Sequence, residues 1–456
     1  MPMAPANTAR MPAAPARAFR HVPHCGVAPI ATDVAFLRDT LGFARRVQAR
    51  CGPVARGMLF ARDQVLLFSP EGSEVALFDR AGVFSARGGW EPLLGALFPG
   101  GLILRDGAEH REHRRLMLPA LRRDELAASL ARMAPDVEAA ALGWAAAGQV
   151  AVHAAVKRLT LDIAADVFIG TRLRDEVDEV NRDFVQLVDA SAAILRLPIP
   201  FTRWNRGRQA RWRLLAFLQH RLRRLRRGEL PPGQDLFSRL AGLAAAEPDV
   251  IDDAALLDHL VFLLMAAHDT TASAVASAIG FLAVHPTWQE RLREETMALD
   301  AGPPTLALLA QHTTLQAVLR ETLRLVPPIP TLSRQALAPF SVHGLDLPGG
   351  TLVTVFPLTA HRDPRFWTDP DRFDPARFAP DRAEDRGHPF AWTPFGGGAH
   401  SCLGQHFALM QAAAVLRALL RAGRFELAGP APEQRFAPIA HPRPDLMLRL
   451  RPLVGG

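Results

Sequence analysis

The sequence predicts a mainly α-helical protein with a smaller β region. Three observations carry that expectation. Helical periodicity dominates from residue 109 to about 285, one apolar-rich stretch at 254–284 is unusually long, and short alternating runs are confined to the regions after Cys51 and around 331–357. Apolar residues make up 49% of the 456, with charges interleaved through most segments, which excludes disorder and fibrous repeats. The formal charge is 53 − 46 = +7, and a single lysine, Lys157, stands among the basic residues. That balance suits an acidic protein partner, and no nucleic-acid recognition motif accompanies it. Three cysteines, Cys25, Cys51 and Cys402, are too few for a disulfide scaffold and do not have the spacing of a structural zinc site.

In chain order, residues 1–18 are rich in Pro and Ala and read as a disordered tail, without the apolar segment of a signal or membrane anchor. Residues 31–50 look helical. RGMLFA and QVLLFS read as strands joined by a turn at Arg62-Asp63-Gln64, and 71–79 as a helix. The stretch 86–103 mixes glycines, prolines and large apolar groups. It fits a mobile, pocket-lining segment as well as an ordinary surface loop. The helical region breaks at Leu197-Pro198-Ile199-Pro200, and the next helix stops near Gly228. Its Arg221, Arg223, Arg224, Arg226 and Arg227 read as a solvated helix end with favourable charge.

The stretch 254–284 predicts a helix of about 45 Å. Asp258, His259, His268, Asp269, Thr270 and Thr271 interrupt its apolar surface, so it reads as the central helix of a large domain rather than a membrane span. Pro286 stops it. LQAVLRETLRL is a further helix, ended by Pro327, Pro328 and Pro330. The stretch 362–395 is long and irregular, and 404–423 returns to helix.

The decisive segment is PFGGGAHSCLGQHFA. Phe395, Gly398, Cys402 and Gly404 form F-x-x-G-x-x-x-C-x-G. Its glycines let the backbone turn tightly against a flat ligand, and the start of the following helix is expected to favour a thiolate at Cys402. This segment resembles the cysteine loop of the cytochrome P450 superfamily. The resemblance implies that Cys402 is the axial thiolate of haem iron and that Phe395 packs beneath the loop. Cys25 and Cys51 lack this context and read as non-catalytic thiols.

The resemblance extends over about 20–456, which implies one P450 haem domain following the tail. Glu321 and Arg324 of ETLR, with Arg377 of FDPARF, match a buried structural network. His110, Arg114, Arg334 and His400 match contacts to the two haem carboxylates. Asp269 and Thr270 of AAHDTT resemble the acid–alcohol pair that manages protons, with a local helix widening implied. Ala267 stands where many relatives have glycine, and His268 reads as a packed or exposed residue without a catalytic role. A substrate pocket could use Trp90, Leu93, Leu94, Leu97, Phe98, Ala266, Ala267 and the 326–333 turn.

The function implied is hydroxylation of a lipophilic substrate, such as a fatty acid, terpenoid or sterol, using dioxygen. The cofactor implied is haem b. Electrons would come from NAD(P)H through a separate reductase and a ferredoxin or flavodoxin, docking on a surface that includes Arg111, Arg115 and Arg417. A soluble, cytoplasmic, bacterial monomer is expected. The competing classes are a peroxide-driven haem peroxygenase and a non-catalytic haem sensor.

Overall fold

The computed structural model describes residues 21–24 and 29–452, except 174–175, 194, 232, 234, 300–301 and 432. The expected tail at 1–18 and Cys25 lie outside the described residues.

The long apolar stretch forms one uninterrupted helix, Asp253–Val284, opened by Asp252, whose side chain accepts from Ala255 N. Helices Val152–Ile169, Arg203–Arg226, Leu236–Ala246, Thr313–Leu325 and Gln405–Ala422 pack around it. Buried alanines at 272, 274, 276 and 278 leave room for the neighbouring helices. By length and composition this helix could cross a membrane, but 72% of its most apolar window is buried inside the protein. It is the axis of the core.

A five-stranded sheet lies beside the helical body, in the order Val54–Leu59, Arg62–Leu67, Leu352–Val355, Leu332–Ala336, Phe84–Ser85. All pairings are antiparallel except Arg62–Leu67 with Leu352–Val355. The first hairpin turns one step earlier than the sequence suggests. Leu59 pairs with Arg62, and Phe60 and Ala61 both take positive φ. Arg62, Asp63 and Gln64 instead belong to the second strand, where Asp63 pairs with Arg56 across the ladder at 2.6 Å. A second sheet, Gln149–Ala151, Met447–Pro452 and Gly423–Leu427, ties the C-terminus to the helical body.

The stretch 86–103 is more ordered than its composition implies. Ser85 caps a helix, Ala86–Leu94, by accepting from Gly88 N, and a 3-10 turn follows at Leu102–Leu104. Gly89 is required there, since a Cβ would sit 2.4 Å from Arg334 N.

The irregular region after residue 362 is held by buried charge. Arg324 grips Glu321 at 2.6 Å, and Arg377 reaches the same carboxylate at 3.2 Å. All three side chains are at most 1% exposed, so each charge needs the others and the backbone carbonyls around them. Arg324 donates to the carbonyls of His361 and Pro370, and Arg377 to those of Asp369 and Arg372. Glu384 completes the network, 2.9 Å from Arg377. His361 joins it to the cysteine segment: Nδ1 meets Arg324 O at 3.1 Å, and Nε2 accepts from Thr393 N at 2.8 Å.

Candidate functional site

A cavity of about 390 Å³ opens between the central helix and the segment carrying Cys402. Cys402 is exposed to it. The cysteine loop reverses through Gly396 and Gly398, both at positive φ, and Cys402 N donates to Phe395 O at 2.9 Å. Gly398 is also a close approach. A Cβ there would lie 2.3 Å from Leu77 O, on the turn Glu74–Phe78 that covers the loop. Helix Gln405–Ala422 begins just after Gly404.

Burial dominates the Cys402 thiol and raises its pKa, while the Gly404 N–H and Arg114 pull in the other direction. The Gly404 N–H at the helix start thus favours the thiolate as expected, and burial opposes it.

Four of the polar groups on the cavity wall collect on the Cys402 side. His110, Arg114, Arg334 and His400 all line it. Arg114 donates to Ser401 O at 2.8 Å, and the His110 and His400 rings stack at 3.9 Å. Burial, with His400 and Arg114 nearby, lowers the His110 pKa to about 4, so its ring is neutral at pH 7. Arg334 is buried, and burial lowers its pKa to about 10, which leaves it charged. Asp106, which the sequence did not single out, anchors the group. It accepts from Ser85 Oγ and Ala86 N, and lies 3.4 Å from His400.

Across the cavity stand Ala266, Ala267 and Thr270. The helix keeps α geometry here, so the expected widening is absent from this stretch. Thr270 Oγ1 donates to Ala266 O at 2.7 Å within the intact turn. Asp269 does not line the cavity. It is buried behind the wall in an ion pair with Lys157, and His268 Nε2 lies 3.5 Å away. Burial opposes its ionisation, but His268 and Lys157 hold its pKa below the usual carboxylate value. Asp269 Oδ2 has no hydrogen-bond partner among the described residues. Lys157 was visible as the lone lysine, but only the fold connects it to Asp269. His268 is fully buried against Phe184, the packed rather than the exposed of its two expected placements.

Of the predicted pocket residues, Trp90, Leu93, Leu94 and Phe98 line the cavity, as do Pro328 to Leu332. Leu97 does not. It is fully buried in the core cluster, because the segment turns after Leu94 and sends it away from the cavity. Arg417 is likewise displaced from its expected docking surface: it is 1% exposed and donates to Gly302 O.

The cytochrome P450 family model matches residues 33–450. The chain belongs to the cytochrome P450 family. Cytochrome P450 136 of Mycobacterium tuberculosis is 36% identical over 408 residues, covering 88% of this chain and 82% of that protein. The cyclooctat-9-en-7-ol 5-monooxygenase of Streptomyces melanosporofaciens is 30% identical over 399 residues, covering 84% and 82%. The structure of retinoic acid-bound cyanobacterial CYP120A1 superposes with a TM-score of 0.85 at 28% identity, covering 94% of this chain and 99% of that one. This P450 is therefore an enzyme of monooxygenase type, with the family's mainly helical fold and haem b as its implied cofactor. The residues present fit that cofactor. One thiol faces an apolar cavity whose cationic groups, Arg114 and Arg334, suit a flat apolar ring carrying carboxylates.

Proposed function

We propose that the chain hydroxylates a lipophilic organic substrate, with Cys402 as the axial ligand of haem iron. The observation that carries this reading is a single cavity with the Cys402 thiol and four polar groups on one side and Thr270 on the other. Arg114, Arg334, His110 and His400 would hold the haem carboxylates, and Phe395 and Gly404 would pack beneath the ring. When bound, haem supplies dioxygen activation and the radical chemistry.

The chain's own residues handle protons and orientation. Thr270 Oγ1 spends its proton on Ala266 O, which leaves its lone pairs to accept from water in the cavity. Asp269 Oδ2 can hold the next water, and Lys157 keeps that carboxylate ionised. The apolar wall orients the substrate and keeps bulk water out. A terpenoid or related isoprenoid is the favoured substrate class, since relatives are named for cyclooctat-9-en-7-ol and abscisic acid and the similar structure holds retinoic acid. Electrons would reach it from NAD(P)H through a separate reductase and a ferredoxin or flavodoxin. A soluble bacterial monomer, one haem domain following the N-terminal tail, completes the proposal.

The test is the reduced carbon monoxide difference spectrum of haem-loaded protein. A thiolate-type band in the wild type and its loss in Cys402→Ala are expected, and a folded wild type without that band would sink the proposal. Efficient turnover with peroxide alone would favour a peroxygenase. The Asp269–Thr270 pair argues against that, since a peroxide-driven reaction has no need of a proton path for dioxygen.

A further inference from the structure

Two N–H donors on the cavity wall have no acceptor among the described residues. One is Trp90 Nε1, which can only donate. The other is Nδ1 of His259, a residue 1% exposed on the central helix.

The neighbours of His259 decide where its proton sits. Arg105 Nη1 lies 3.1 Å from His113 Nε2, and a guanidinium has only donors, so that nitrogen of His113 accepts. Burial lowers the pKa of His113 and, more strongly, that of His259, so both rings are neutral. Neutral His113 then carries its proton on Nδ1 and donates it to His259 Nε2 across 2.8 Å. His259 in turn must be protonated on Nδ1, the atom without an acceptor. The relay from Arg105 through His113 thus makes His259 a donor of fixed polarity.

The two donors belong to one region. The 3-10 turn Leu102–Leu104 packs on the Trp90 helix, Ala86–Leu94, and on Gly107–Met117, the helix that carries His113. His259 precedes Thr270 on the central helix by about 16 Å along the axis and sits only about 20° around from it, so both face the same way. The rest of this wall is apolar, with Leu94, Phe98, Leu102 and Phe262. Both nitrogens are shielded from water, and an unmet buried N–H is costly until an acceptor arrives.

We propose that Trp90 and His259 form an oxygen-recognising subsite that selects apolar substrates bearing a carbonyl or hydroxyl oxygen at the end remote from Thr270. The proposal rests on the haem monooxygenase reading above. That reading commits the cationic groups Arg114 and Arg334 to the cofactor, so the donors left for substrate are neutral. A neutral oxygen suits them, whereas a carboxylate there would find the nearby cation, Arg105, already paired with Glu109.

The test uses haem-loaded protein that shows the thiolate–carbon monoxide band, so a failure here is separable from failure of the parent reading. Equilibrium dialysis would compare dodecan-2-one, dodecanoic acid and dodecane on the wild type, Trp90→Phe and His259→Phe. Each substitution should weaken dodecan-2-one binding about tenfold. Dodecane should change less than about twofold, and dodecanoic acid should not bind better than the ketone. His259→Gln, which keeps an N–H donor, should restore part of the ketone affinity. Ring ¹⁵N shifts should show His259 protonated on Nδ1, and His113→Leu should release that tautomer. A variant that retains full ketone affinity removes its residue from the subsite. Both doing so, no ketone binding by the wild type, tighter binding of the acid, or an unprotonated His259 Nδ1 would each overturn the proposal. Loss of haem from Trp90→Phe in place of lost ketone affinity would assign Trp90 to the cofactor instead.

Discussion

His361 shows how one neutral ring can tie stability to pH. Both of its nitrogens are committed, one accepting from Thr393 N and the other donating to Arg324 O, and protonation would break the first bond. Burial, with Arg362 and Arg324 close by, lowers its pKa to about 3. Above the unfolded value near 6.5 the ring is neutral in both states and contributes no pH dependence. Below it the unfolded chain binds a proton that the native ring refuses. Stability therefore falls with pH down to about 3, by at most about 1.4 kcal/mol per unit from this group. Denaturant melts at pH 7 and pH 4.5 should show a smaller loss for His361→Gln than for the wild type; an equal loss would contradict the assignment. Asp269 carries a second prediction at this scale. Asp269→Asn removes the ionised relay but keeps the side-chain volume, so product formation should drop about 100-fold while the carbon monoxide band and substrate affinity persist. Unchanged turnover would remove Asp269 from the proton path. The motif singled out Asp269 and Thr270, of which the structure puts Thr270 on the cavity wall and Asp269 behind it. Lys157 and Asp106 were not legible as site residues, because their partners are remote in sequence: Asp269 lies 112 positions from Lys157, and His400 lies 294 from Asp106.

The elements that hold the site were legible to the extent that they carry local punctuation. Prolines marked where the central helix and LQAVLRETLRL stop, and the E-x-x-R pair with Arg377 was recognisable as a set. The C-terminal sheet escaped because its strands are short and pair across long gaps, as Met447 does with Ala151. The first hairpin turn was misplaced because neither Phe60 nor Ala61 is a residue that favours positive φ. The cysteine loop depends on its cover in a way that gives a sharp expectation. Gly398→Ala would drive a methyl into Leu77 O and strain a backbone at φ +63. Because Leu77 O is backbone, the loop or the covering turn must shift. Haem retention after gel filtration should fall markedly, and the thermal midpoint should fall as well. Arg377→Ala attacks the network from the other side. It leaves Glu321 and Glu384 short of a buried partner, and should cost about 3–5 kcal/mol in a denaturant melt. A loss under 1 kcal/mol would mean that water or Arg382 takes over the role, since Arg382 also reaches Glu384.

At the scale of the whole molecule, the central helix divides two tasks. Its Thr270 side faces the cavity that substrate and cofactor would share, while Cys402 and its loop line the opposite wall. Electrons are therefore expected to enter on the cysteine side, through a partner held by charge. Arg111 and Arg115 are exposed on the helix that also carries His110 and Arg114, one or two residues from groups on the cavity wall. The loss of Arg417 from this surface sharpens the prediction to that helix. An acidic ferredoxin or flavodoxin steered to it should feel both arginines, and salt should screen the attraction. Arg111→Glu with Arg115→Glu should slow the first reduction by about tenfold at low ionic strength. The difference should narrow at high salt, and substrate affinity should stay within twofold. Stopped-flow formation of the reduced carbon monoxide complex, driven by saturating reductase with limiting ferredoxin, reads that rate directly. Equal rates for the wild type and the double variant at low salt would place the docking surface elsewhere on the cysteine side.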